Sequence, residues 1–209
     1  MKWKNFFVNG ISIFLGIIFF TAGMAKVYYD HKFPGIIGPI TLEEMLNKYD
    51  LGLFARFIGF AQVLIGFMLL TLRYRTLAAI MLLPMVLNIL LVTVSMNWIG
   101  TPYVLSFFLV LNVILLAADA KSLAHLVGFP THPHHITGQN QSAVKYGIIW
   151  LSGLVLVFES AYLSYFNLTL AYIICATGFA MSMFTYLKAG RAGYEKVNEP
   201  DFKQEAVSA

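Results

Sequence analysis

Six apolar runs, each near the length of a membrane-crossing helix, constrain the fold of this chain more than any other feature. A bilayer core of about 30 Å needs roughly 20 apolar residues per helical span. Only 11% of the residues are charged, against about 25% in an ordinary soluble domain, so a water-soluble globule is excluded. We predict an all-α, polytopic bundle of six transmembrane helices, at about residues 6–27, 53–72, 76–96, 103–120, 146–165 and 168–187.

Polar stretches between these runs predict the organisation of the chain. The last two spans are joined by barely two residues, so they must form an antiparallel hairpin. TLEE, at residues 41–44, has the capping-box pattern and predicts a short amphipathic helix on the membrane surface. The predicted parts are a four-helix unit at 1–128 with an outer amphipathic loop at 28–52, a linker at 129–145, a transmembrane hairpin at 146–187 and a polar tail at 188–209.

The distribution of Lys and Arg predicts the orientation. If the amino terminus is inside, only four of the fourteen basic residues fall in outer segments, namely Lys26, Lys32, Lys48 and Arg56. Short loops rich in Lys and Arg stay on the cytoplasmic side. We therefore expect both termini to be cytoplasmic. The net charge of +4 reflects this topology and does not indicate nucleic-acid binding.

Side-chain amides occupy the centres of three of the first four spans, as Gln62, Asn88 and Asn112. An amide that faces lipid leaves its donors and acceptors unpaired, so we expect the three to form one buried cluster. Such a cluster either joins the helices or binds a small polar ligand such as a quinone head group. Gln62 also belongs to a small-residue stripe suited to close helix contact, formed by Ala55, Gly59, Gln62 and Gly66.

Charged residues in or near the spans are few, and the clearest are Lys26, Asp119 and Glu159. Lys26 and Asp119 lie at span ends on opposite predicted sides, where both can snorkel to the interface but cannot pair with each other. Glu159 lies deeper in the fifth span, where an ionised acid costs roughly 2.5–3.5 kcal/mol. We expect Glu159 to be protonated, hydrogen-bonded or in contact with another subunit. A role in a proton relay is the alternative.

Residue types that usually bind cofactors are sparse. None of the five histidines lies within a span, so no axial pair for a membrane haem exists. HPHH, at residues 132–135, lacks nearby Cys or acidic partners and indicates a solvated loop. We predict no metal, no intrinsic cofactor beyond a possible quinone, and no nucleic-acid partner. The absence of a catalytic motif leaves it open whether the chain is an enzyme.

Small residues also form stripes in the last two spans. We expect the hairpin to pack tightly on itself or on the four-helix unit, and to offer a docking surface to partner proteins. The lone Cys175 is expected to be an inert buried thiol. The stripes consist of Gly153, Ser160 and Ser164 in the fifth span and Ala171, Cys175, Gly178 and Ser182 in the sixth.

Three stretches resemble the DoxX-like membrane proteins of bacteria: LGIIFFTAGMAKV, RFIGFAQVLIGFMLLTLRYRTLAAIMLLPMVLNI and LVLNVILLAADAKSL. The resemblance covers about residues 8–128 and implies a four-helix unit in the bacterial cytoplasmic (inner) membrane. It also implies an association with redox systems, because the family includes subunits of thiosulfate:quinone oxidoreductase. Gln62 stands where many relatives carry Glu. The matched residues are Lys26, Gln62, Gly66, Pro84, Asn88, Asn112 and Asp119.

These observations give three hypotheses for the function. The first is an accessory or anchoring subunit of a larger membrane complex, plausibly respiratory or redox, with membrane lipids and other membrane subunits as partners. The second is a quinone-linked membrane oxidoreductase that uses the amide centre. The third is a small-molecule or lipid transporter, which the lack of interrupted helices disfavours.

Overall fold

A computed structural model describes residues 2–37, 46–120, 123–124 and 141–198 of the chain. This part contains no strand, and each of its six long helices is long and apolar enough to cross a membrane. The predicted all-α fold with six spans is confirmed, and the chain is a multi-pass membrane protein. The helices are α1 (Lys2–Val27), α2 (Gly52–Leu70), α3 (Arg75–Ser95), α4 (Thr101–Ala118), α5 (Gln141–Leu163) and α6 (Leu168–Asn198).

The last helix is longer than the predicted span. Helix α6 continues to Asn198, past the predicted end of the span at residue 187. A polar segment can extend a helix into water because its backbone hydrogen bonds are internal, and no proline lies between Leu168 and Pro200. The TLEE segment and the HPHH segment lie outside the described residues.

The first four helices form a closed ring. Helix α1 packs against α2, α2 against α3, α3 against α4, and α4 again against α1. Fully buried apolar side chains from each helix fill the interior. Because consecutive helices are antiparallel, the ring has two ends, which we name the Lys26 end and the Asp119 end after the charges that lie there. The largest buried side chains of the four helices include Leu15, Phe67, Leu82 and Leu115.

Glycines let the backbones of α1 and α2 approach closely. A Cβ atom on Gly23 would lie 2.7 Å from the Val63 amide nitrogen and 2.8 Å from the Gly59 carbonyl oxygen. A Cβ atom on Gly66 would overlap the backbone of Phe20. The predicted small-residue stripe of the second span is therefore a helix contact, and larger residues would force α1 and α2 apart.

The hairpin of α5 and α6 is packed in the same way. A Cβ atom on Gly178 would lie 2.6 Å from the carbonyl oxygen of Gly153. Across the same contact, the Ser182 hydroxyl donates a hydrogen bond to the Trp150 carbonyl oxygen at 3.2 Å. Close backbone approach therefore contributes to holding the two helices of the hairpin together.

Hydrogen bonds from buried groups attach the hairpin to the ring. The Trp150 indole donates to the Thr71 hydroxyl at 3.0 Å. The Tyr28 phenol donates to the Ser160 hydroxyl at 2.9 Å. Burial raises the pKa of the Tyr28 phenol above its ordinary value, so the group stays a neutral donor. The two bonds attach α5 to the ring near its middle and near its carboxyl end.

The small residues of the hairpin are used inside the chain. Ser160, Ala171 and Ser182 are fully buried, and the other stripe residues are buried as well. The expected tight packing of the hairpin is confirmed, but its stripes offer no surface to a partner protein. The same residues serve both the α5–α6 contact and the contact with the ring. A docking role of the hairpin would therefore use its other faces, and it stays a prediction.

The glycine contact gives a test of the packing. We expect Gly23→Ala to lower the free energy of unfolding by about 1–3 kcal/mol, as overpacking of a tight contact does. Thermal unfolding in detergent measures the loss. Gly10→Ala, in the same helix, is the control, because a Cβ atom there would meet nothing within 4 Å. Equal stability of the two variants would contradict the packing.

The predicted orientation is testable with two exposed lysines. Lys48 lies before α2 and Lys145 in the second turn of α5, and the native Cys175 is buried. In intact cells, an impermeant thiol reagent should label Lys48→Cys at once and Lys145→Cys only after permeabilisation. The reverse pattern would place the Lys26 end in the cytoplasm.

Candidate functional site

The four-helix ring lines an open cavity of about 610 Å³ toward the Lys26 end, which we call the ring cavity. All four helices and the connection between α3 and α4 contribute to its wall. The wall is mainly apolar and includes several aromatic rings, but the side chains of Lys26, Gln62 and Thr93 also reach it. The apolar residues include Ile18, Phe19, Ile89, Trp98, Leu105 and Phe108.

Lys26 and Gln62 form the polar centre of this wall. The Lys26 ammonium donates to Gln62 Oε1 at 3.0 Å and to the Ala22 carbonyl oxygen at 2.9 Å. Side chains on a helix lean toward its amino terminus, so the ammonium of this last-turn residue is directed back into the bundle. The expectation that Lys26 snorkels to the interface was wrong. Gln62 is only 5% exposed.

The Lys26 side chain has room beside α2, and its ammonium keeps one N–H that donates to no protein atom. A Cβ atom on Gly59 would lie 3.4 Å from the Lys26 Cβ, so the glycine makes room for the lysine side chain. An ammonium has three N–H donors, and two are used. No carboxylate in the described ranges pairs with Lys26. The half-buried cation is therefore held by neutral oxygens.

The other two amides do not join this centre. Asn88 is exposed, because the buried face of α3 runs through Leu82, Val86 and Ile89, and Asn88 lies outside it. Asn112 is fully buried, yet its amide nitrogen and oxygen have no hydrogen-bond partner among the described residues. The prediction of a single amide cluster was wrong, since helix phase separates its three members.

Asn112 lies deeper in the ring than the cavity. It follows Phe108 by one turn of α4, and Phe108 packs edge to face against Phe19, with 5.7 Å between ring centroids. Both rings line the ring cavity. The aromatic pair therefore separates the cavity from the Asn112 amide.

Asp119 belongs to a polar network that joins α1, α3 and α4 at its own end of the ring. The Arg75 guanidinium donates to both carboxylate oxygens, at 2.6 Å and 3.3 Å, and the Thr76 hydroxyl donates at 2.7 Å. Arg75 also donates to the Asn9 amide oxygen at 2.7 Å. Asp119 is thus paired inside the protein and does not snorkel as expected. Lys26 and Asp119 do not pair with each other, as predicted.

Basic side chains surround a second, smaller cavity of about 280 Å³ at the Lys26 end, which we call the basic cavity. It lies between the end of α1, the start of α2 and the turn of the hairpin. Lys26, His31 and Arg56 line it together with Phe60 and Tyr165. Sequence reasoning missed this site, because Lys32 and Lys48 belong to the same outer region of the sequence and nothing there shows which of the basic residues converge.

Glu159 lies on the exposed face of α5. It has no hydrogen bond or ion pair with any residue that the structure describes. Of the three expectations for this acid, an internal hydrogen bond is therefore not realised in the described part. Protonation and contact with another subunit stay predictions.

Comparison with known proteins gives no relative. No family model matches the chain, and neither the curated proteins nor the solved structures contain a significant match. The DoxX-like resemblance therefore stays a prediction. In the part of the chain that the structure describes, no three His, Cys, Asp or Glu side chains are grouped to hold a metal ion.

Proposed function

We propose that this chain is a quinone-binding membrane subunit and that the ring cavity holds the quinone ring. The observation that carries the proposal is the Lys26–Gln62 pair in the wall of an otherwise mainly apolar cavity. Ligand cavities in proteins have volumes of about 300–1,000 Å³ and combine apolar walls with a few polar groups that orient the ligand. The ring cavity has both properties.

The chemistry of the wall favours a flat ring compound with carbonyl groups. A quinone carbonyl accepts the third N–H of Lys26, and the positive charge stabilises electron density on that oxygen. Phe19, Trp98 and Phe108 offer aromatic surface to the ring. The cavity wall includes Ile99, which is 99% exposed, so an apolar tail can leave toward the lipid at this point.

Replacement of the ammonium tests the proposal. Lys26→Met keeps a long apolar side chain and removes the charged donor. Since a hydrogen bond to a charged group contributes about 1.5–3 kcal/mol and about 1.4 kcal/mol is tenfold in affinity, menadione should bind about ten- to hundredfold more weakly. Calorimetric titration of the purified protein in detergent measures the affinity.

The matched control is Lys48→Met, which removes an exposed lysine from the same end of the molecule. Its affinity for menadione should equal that of the wild-type protein. Wild-type affinity in Lys26→Met, or the same loss in both variants, would exclude the ring cavity as the quinone site.

A second candidate function, an accessory subunit of a larger membrane complex, is favoured by two exposed polar side chains. Asn88 lies near the centre of α3 and Glu159 within α5, and both face outward. Exposed polar groups at membrane depth are costly unless another helix supplies hydrogen bonds. The DoxX-like resemblance points in the same direction, toward redox complexes of the bacterial inner membrane. The transporter alternative has no such support, because each of the described spans is one continuous helix.

The subunit role predicts a change in assembly without a change in folding. Asn88→Leu and Glu159→Gln should each reduce the fraction of the protein that is cross-linked into larger species in native membranes. The thermal stability of the isolated chain should not change, because neither side chain is paired within the described part. Thr177→Val is the control, since Thr177 is exposed in α6 but bonds its own helix at Ile173. Unchanged cross-linking in both test variants would contradict the role.

A further inference from the structure

We infer that the exposed face of α3 is a contact surface for a second copy of this chain, centred on Asn88. The inference deepens the proposed subunit role, on which it rests for the need of Asn88 for a partner helix. The partner is an identical α3 helix that packs in parallel against this one. The surface, which we call the α3 line, consists of Leu77, Met81, Pro84, Asn88, Leu91 and Ser95.

The Asn88 amide has no hydrogen-bond partner within the part of the chain that the structure describes. It lies near the centre of the 21-residue helix α3, and its side chain is exposed. An amide carries two N–H donors and one oxygen acceptor. Lipid tails offer none of the matching groups, and a polar group that is left unpaired in hydrocarbon costs free energy. A second helix that bonds this amide removes that cost.

The α3 line has the spacing of a helix–helix contact. Its members follow one another at intervals of four, three, four, three and four residues, which makes two sets of positions that each repeat every seven residues. A seven-residue repeat stays in contact with a partner helix when the two helices cross at about +20°, the left-handed geometry common in membrane bundles. Five of the six members are exposed, and Met81 is partly buried.

The rest of the described chain leaves this face uncovered. Helix α3 packs sideways against α2 and α4. The hairpin is attached elsewhere, through Thr71 at the end of α2 and Tyr28 at the end of α1. Leu91, one turn beyond Asn88, is therefore 64% exposed.

The chemistry of an amide favours its own copy as the partner. All copies of one chain are inserted in the membrane with the same orientation. In a twofold dimer the two α3 helices therefore run parallel, and equal residues lie at equal depth. Asn88 then faces the Asn88 of the second copy, and because each amide both donates and accepts, the pair forms two reciprocal hydrogen bonds. A single Asn on a seven-residue repeat fixes the register and the number of helices in the same way in coiled coils.

Disulfide cross-linking in native membranes tests the contact. In the dimer, Leu91→Cys should lie beside its own copy, within the distance of about 4.4–6.8 Å between Cα atoms that a disulfide spans. Oxidation with copper phenanthroline should then give a covalent dimer on a non-reducing gel. Val110→Cys, at a position 57% exposed on α4, is the matched control and should give no dimer. The wild-type chain should give none either, because Cys175 is buried.

Replacement of the amide tests its part in the contact. In the Leu91→Cys protein, Asn88→Leu should lower the yield of the disulfide about three- to twentyfold, which is the effect of one interhelical hydrogen bond in a membrane. Asn88→Gln keeps an amide at this position and should retain most of the yield. Thermal unfolding in detergent should be the same for both variants, which shows that a lower yield does not come from a misfolded chain.

The gel also distinguishes a second copy from a different subunit. Absence of a dimer in Leu91→Cys, an equal yield in Val110→Cys, or an unchanged yield in Asn88→Leu would overturn the inference. If Leu91→Cys forms no dimer while Asn88→Leu still loses cross-links to species larger than a dimer, the subunit role stands and Asn88 contacts another protein. If the dimer forms while those larger species are unchanged in Asn88→Leu and Glu159→Gln, the α3 contact stands and the subunit role fails.

Discussion

The contact between α1 and α2 determines the arrangement on which the rest of the structure depends. Gly23 and Gly66 allow the two backbones to touch, and this proximity brings the last turn of α1 beside the middle of α2. Only at that distance does the Lys26 ammonium reach the Gln62 amide. The same contact makes Lys26 part of both cavity walls. The close helix packing and the position of Lys26 at both cavities are thus consequences of one small-residue interface.

The charged side chains at the two ends of the ring have different partners. At the Asp119 end, the carboxylate receives donors from Arg75 and Thr76, and Arg75 is also bonded to Asn9, so charge is neutralised by the protein itself. At the Lys26 end, the ammonium is bonded to two neutral oxygens. A paired charge stabilises the bundle, whereas a cation held only by neutral groups retains its attraction for an electron-rich ligand. The physical case for a binding site therefore rests on the Lys26 end.

The sequence was sufficient for the fold but only partly sufficient for the site. Six spans follow from hydropathy, because each helix in a bilayer must satisfy its own backbone. The glycine stripe of α2 was predictable since its spacing follows the helical repeat. The amide cluster was not, because the position of Asn88 at the centre of a span does not reveal which way it faces. The pairing of Lys26 with Gln62 depends on which helices are neighbours and on the direction of a long side chain.

The interior of the ring is better suited to binding than to conduction. Three groups of polar side chains lie at different depths in it: the Lys26–Gln62 pair, Asn112, and the Asp119 network. The contact of Phe19 with Phe108 separates the first two, and the fully buried Leu115 lies between the last two on α4. Proton or ion transfer needs a continuous series of polar groups or water molecules. Here apolar side chains separate the three polar groups from one another at two points. In the proposed complex, the quinone ring therefore lies against a polar wall on one side and above an aromatic pair that separates it from the opposite end.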